Sequence, residues 1–97
     1  MQDSIPTIRL MDIVSGTSTN AEGLILFNVM NNLLLNNQNV RLSLEGATPF
    51  STSFLNSSIG SLVDKYGIEN VRKKLVFSNL TKSQIKKMTN YFEMVSC

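Results

Sequence analysis

Apolar and polar positions change period along the chain, and each change marks an element. Ile8 to Ser15 reads as a strand, stopped by Gly16 and a Ser/Thr/Asn cluster. Alternation turns Ile8, Leu10 and Ile13 inward, and its phase breaks near Asp12. Thr19-Asn20-Ala21-Glu22 matches a capping box and predicts a helix to about Asn36. Leu26, Phe27, Val29, Met30, Leu33 and Leu34 fall on one face of it, and Asn28, Asn31, Asn32 and Asn36 on the other. Leu24 and Leu35 land among the asparagines. Val40 to Glu45 alternates strictly, with Val40, Leu42 and Leu44 opposite Arg41, Ser43 and Glu45. Such a strand is covered on one side only; a strand between two helical layers would be apolar throughout.

A loop with Pro49 follows, then a helix from about Thr52 to Tyr66 with Leu55, Ile59, Leu62 and Tyr66 as its buried stripe. Gly67 stops it. Ile68 to Lys74 reads as a short helical turn and Leu75 to Asn79 as a strand. Thr81-Lys82-Ser83-Gln84 is a second capping box, opening a helix that buries Ile85, Met88, Phe92 and Val95. The order is β-α-β-α-β-α. Consecutive strands joined by helices are expected to be parallel, with helices mainly on one face of the sheet.

Length and composition narrow this to one α/β domain, residues 1–97. Hydrophobic residues are 42% and charged residues 16%, a globular balance. There is no His, no Trp and a single Cys, Cys97. A Ser–His or Cys–His nucleophile pair cannot be assembled within the chain, nor a zinc site from Cys and His ligands. Glu45, at a strand end, is the best lone acid for catalysis, but no second carboxylate lies near it in sequence. The expectation is a non-enzymatic protein with no cofactor and no metal. Met1 to Pro6 lacks a basic and then apolar leader, and the longest apolar stretch, Gly23 to Leu35, is interrupted by three asparagines. A cytoplasmic location without membrane contact is expected.

Charge is distributed unevenly. Residues 1–64 hold two basic against five acidic residues, and residues 65–97 hold seven against two. Arg72, Lys73, Lys74, Lys82, Lys86 and Lys87 in the basic third supply the alternative reading, a small nucleic-acid-binding module. No helix-turn-helix spacing or aromatic platform accompanies them.

In open α/β sheets ligands gather beyond the carboxyl ends of the strands. The stretch after Glu45 holds the hydroxyls Thr48, Ser51, Thr52 and Ser53 where a helix begins. Ser51 or Thr52 caps that helix. A phosphate added there would sit near the positive end of the helix dipole.

Val40 to Ala47, Ser51-Thr52-Ser53-Phe54-Leu55 and Ile59-Gly60-Ser61-Leu62 together resemble the STAS-like family, small bacterial domains similar to the STAS domains of anti-sigma-factor antagonists. The resemblance runs over about residues 8 to 93. It implies a small mixed β-sheet, with a further strand reduced or supplied by Ser4 to Thr7. It also implies a regulatory protein-interaction module whose partner is an ATPase of the histidine-kinase-like fold. By position, the antagonists' Asp-Ser-Ser-Gly-Leu turn falls on Ser51 to Leu55. That makes Thr52, with Ser53 beside it, the candidate phosphoacceptor. Thr48, Phe50, Ser51, Phe54, Ser57 and Ser58 become the candidate partner-binding residues. Ser51 replaces the turn's carboxylate and Phe54 its glycine.

Overall fold

Among the described residues three short parallel strands form one sheet, with the second along the chain in the centre. The computed structural model describes residues 7–36, 38–47 and 49–95. Along the chain run β1 (Thr7–Arg9), α1 (Leu10–Ile13), α2 (Asn20–Leu35), β2 (Val40–Ser43) and α3 (Thr52–Leu55). A π-helical turn (Asn56–Gly60), α4 (Ser61–Tyr66), α5 (Ile68–Lys74), β3 (Leu75–Ser78) and α6 (Lys82–Val95) complete it. Apart from Thr7, the segment 4–7 lies outside the described residues, as does Cys97.

Register shows which face is covered. Ile8 pairs with Leu42, Leu42 with Phe77 and Val40 with Leu75, so these side chains share one face. Val40, Leu42 and Leu75 are buried there, and Ile8 and Phe77 pack against the core. Thr7, Arg41 and Val76 share the opposite face and are exposed. The helices therefore lie on the face that the alternation in β2 predicts. That strand stops at Ser43, two residues before the expected Glu45, although the Leu44 amide still donates to the Ser78 carbonyl at 2.9 Å.

The first strand is the largest departure. Instead of running to Ser15, it ends at Arg9 and the chain turns into α1. Arg9 reaches Asp12 at 3.3 Å across this turn, and the Val14 amide donates to the Leu10 carbonyl at 3.1 Å. Leu10 and Val14, one helical turn apart, are both buried in the core. The broken alternation near Asp12 is the trace of this turn in the sequence.

Helix α2 begins as expected. The Glu22 amide donates to the Thr19 hydroxyl at 3.2 Å, and the Thr19 amide donates to the Glu22 carboxylate at 3.3 Å. Leu26, Met30 and Leu34 are buried, and Phe27, Val29 and Leu33 pack beside them. Gly23 is where α2 meets α3. A Cβ there would stand 2.6 Å from the Phe54 carbonyl oxygen and 2.8 Å from the Ser57 Cβ. On the outer side Leu24, Ile25 and Leu35 are exposed.

The expected helix from Thr52 to Tyr66 is continuous but widens at Asn56–Gly60, where it becomes π-helical. The buried stripe keeps Leu55, Ile59 and Leu62 and gains Phe54 and Ser58. Tyr91 of α6 packs at this turn, its hydroxyl donating to Asn56 Oδ1 at 2.8 Å. Gly67 separates α4 from α5 at φ 90°, a backbone angle that any side chain would strain. In α6 the core positions are Gln84, Met88, Tyr91 and Phe92. Ile85, expected inside, is half exposed, because Gln84 takes the inward position.

The approach at Gly23 leaves no space for a methyl group. Gly23→Ala is expected to lose about 1–3 kcal/mol of stability in urea unfolding, even after the gain in helix propensity of about 1 kcal/mol. Asn28→Ala, on the exposed side of the same helix, should be neutral or slightly stabilising.

Candidate functional site

The carboxyl ends of β2 and β3 lie side by side, and the chain leaving them is tied down by polar contacts. Asn79 adopts φ 58° directly after β3. From there its amide group donates to the Ser43 hydroxyl at 2.8 Å, and the Glu45 amide points to the same oxygen at 3.4 Å. This explains why Ser43, on the otherwise open face, is buried. The loop 44–51 turns back through the Ala47 amide, which donates to the Leu44 carbonyl at 3.0 Å.

Two elements then clamp this loop. On one side Thr17, fully buried, donates its hydroxyl to the Pro49 carbonyl at 3.1 Å and receives the Ser51 amide on its own carbonyl at 3.0 Å. On the other side Gln84 donates its Nε2 to the Ala47 carbonyl at 3.1 Å. The Gln84 Oε1 accepts the Thr81 amide at 2.9 Å, closing the second capping box as the sequence predicts. Neither clamp was legible as part of a site. Thr17 sits in a cluster that reads as a strand stop, and Gln84 carries a capping signal that says nothing of the Ala47 carbonyl.

The hydroxyl cluster separates into distinct roles. Ser51 is the cap: its Oγ accepts the Phe54 amide at 3.0 Å and donates to the Ser18 carbonyl at 2.9 Å. Thr52 and Ser53 are exposed on the first turn beyond it. Ser57 donates to Asn20 Oδ1 at 2.9 Å, joining the two helices. Ser58 is wholly buried and donates to the Phe54 carbonyl at 2.7 Å. Phe54 is also interior and stacks on Phe50, centroids 5.9 Å apart. Phe54 and Ser58 are therefore core rather than contact surface, and Phe50 is core as well with only an edge, 6% of its surface, left exposed, which corrects the expectation for all three. Phe54 turns inward because the space beneath the loop is apolar. Thr48 lies outside the described residues.

A surface cavity of about 470 Å³ opens beside the clamp. Ala47, Pro49 and Phe50 form one wall; Thr81, Ser83, Gln84 and Lys87 form the other. Next to the loop, Glu45 lies 3.7 Å from the Arg9 guanidinium, which also holds Asp12. The basic C-terminal third is spread over three helices, α4, α5 and α6. Arg72 on α5 sits over the Phe92 ring at 5.4 Å, and Lys82, Lys86 and Lys87 on α6 are exposed. Among the described residues no group of three or more His, Cys, Asp or Glu is placed to hold a metal ion. No helix among them is long and apolar enough to cross a membrane.

Among the described residues, Glu22 and Tyr91 have displaced pKa values. Glu22 is held below its ordinary value of 4.5, chiefly by the Ser18 amide, against a partial desolvation, and further by the Thr19 hydroxyl and amide and the Ser15 hydroxyl. Burial, with Asp64 nearby, pushes the Tyr91 phenol up.

Ser51→Ala removes a cap and a tether together and is expected to cost about 1–2 kcal/mol in chemical unfolding. Thr52→Ala and Ser53→Ala should each stay within about 0.5 kcal/mol. Because the folded-state pKa of Glu22 is depressed, its contribution is present above the unfolded value and lost as pH falls. The stability gap between the protein and Glu22→Gln should therefore close as pH drops below about 4.5. A gap that stays constant down to pH 3 would remove Glu22 as its source (~1.5 units below the ordinary value). A family profile described as a STAS-like domain of unknown function matches residues 23–84, from α2 through the loop to the first turn of α6, with Lys87 of the cavity beyond its end. No curated protein and no solved structure matches the chain. With most of its length inside that match, and with parallel strands covered by helices on one face, the chain belongs to the STAS-like domains of unknown function.

Proposed function

We propose that this domain is a protein-interaction module of a regulatory system, with no reaction of its own. Its docking surface is the loop after β2 together with the first turn of α3. The observation that carries this reading is the division of labour at that turn. Ser51 is committed to the fold through two hydrogen bonds, while the neighbouring hydroxyls of Thr52 and Ser53 are exposed. A group that the fold does not need, held at a rigid position beyond the sheet, is free to be recognised or modified.

The partner we propose is an ATPase of the histidine-kinase-like fold, and the switch is phosphorylation of Thr52 or Ser53. A phosphate there adds roughly −1.5 to −2 charges at the start of a helical run that continues to Tyr66. The helix dipole tolerates that charge, so the fold persists while the surface changes sign. Ser51 and Ser58 are poor acceptors for opposite reasons: one hydroxyl holds the cap and the other is inside.

Affinity capture from the native host, with and without ATP, tests both levels. The expected result is such an ATPase in the eluate and, with ATP, phosphate on Thr52 or Ser53. Thr52→Glu should then change the affinity of the purified pair at least about tenfold, a difference of about 1.4 kcal/mol. The same ATPase with no phosphate would discard the switch and keep the interaction. Capture of nucleic acid instead would overturn the reading.

A further inference from the structure

The cavity between the loop and α6 has an apolar wall and a basic wall. Pro49 and Phe50 supply the first, and Phe50 is braced from behind by the Phe54 ring. Lys87 lines the second, with the hydroxyl-bearing side chains of Thr81 and Ser83 above it. Lys86 is exposed in the same turn. From Thr81 to Asn90 the helix carries no acidic residue, and the acid of this element, Glu93, lies six residues beyond Lys87. The nearest acid on the opposite wall's loop, Glu45, is engaged by Arg9 at 3.7 Å.

The rigidity of the walls matters as much as their chemistry. Gln84 bridges them at the floor, with one end of its amide on the Ala47 carbonyl and the other on the Thr81 amide. Both polar ends are satisfied, so the floor has no unmet polar demand of its own. The cavity volume, about 470 Å³, falls in the range of pre-formed ligand sites.

We infer that this cavity binds an acidic, apolar-tipped peptide segment of the partner protein, with one aromatic or large aliphatic side chain against Pro49 and Phe50 and a flanking carboxylate on Lys87. This deepens the interaction reading and rests on it. Charge complementarity selects the occupant: Lys86 and Lys87 repel a basic segment and attract a carboxylate. The hydroxyl-bearing residues Thr81 and Ser83 are placed to bond the peptide backbone as it passes.

The test uses the isotope-labelled full chain and the blocked peptide acetyl-Asp-Glu-Phe-Glu-Leu-amide, titrated to millimolar concentration and followed by amide chemical shifts. Expected are shifts centred on residues 47–50 and 81–87, and binding that weakens as salt rises. Lys87→Glu should weaken binding at least about tenfold. Lys73→Glu, the same charge change on α5, should leave it within about twofold. Three results would overturn the inference: no shifts at millimolar peptide, equal binding of the peptide with lysine in place of each acid, or stronger binding of a thymidine 12-mer at the same residues. The last would transfer the site to single-stranded nucleic acid. Captured ATPase that binds Lys87→Glu as tightly as the unaltered chain would end the cavity proposal while leaving the interaction module standing. Normal peptide shifts with no protein partner captured would overturn the interaction reading and, with it, the assignment of the cavity to a partner's segment.

Discussion

Everything near the candidate site depends on how the loop 44–51 is held. A loop leaving a central strand carries backbone carbonyls and amides that water alone would leave mobile. Here Thr17 satisfies both the Pro49 carbonyl and the Ser51 amide from a position with no solvent exposure. Ser51 passes the constraint on, capping α3 and reaching Ser18. The place where α3 starts is thereby set by residues about 33 positions earlier in the chain. Phe50 and Phe54 can stack only because that start is fixed.

The fold was largely legible because its main signals are local. Two capping boxes, one strictly alternating strand and one Gly-stopped helix each announce themselves within a few residues, and the structure contains all of them. What sequence reasoning missed depends on distant partners. The π-helical turn falls where Tyr91, from the last helix, packs on Asn56. Helical spacing alone places Ile85 inward, and it lies outward because Gln84, a buried polar group, has two partners there.

The site shows the same division. The position of the hydroxyl cluster beyond a strand end was readable, and so was the need for a cap there. Which hydroxyl does the capping was not, because Ser51 and Thr52 are equally suited by type. Ser51 wins through the Ser18 carbonyl, a contact between segments far apart in sequence. Phe54 and Ser58 looked like surface beside a serine turn, yet both complete the interior beneath the loop.

The double engagement of Gln84 has a dynamic consequence. Its amide closes the first turn of α6 at one end and holds the Ala47 carbonyl at the other. Helix ends ordinarily fray independently of the loops beside them. Here the first turn of α6 cannot unwind without releasing the loop, so the two behave as one cooperative opening unit. Hydrogen exchange at the start of α6 and at the loop would then report a single local unfolding event, and whatever rigidifies one segment would slow the other.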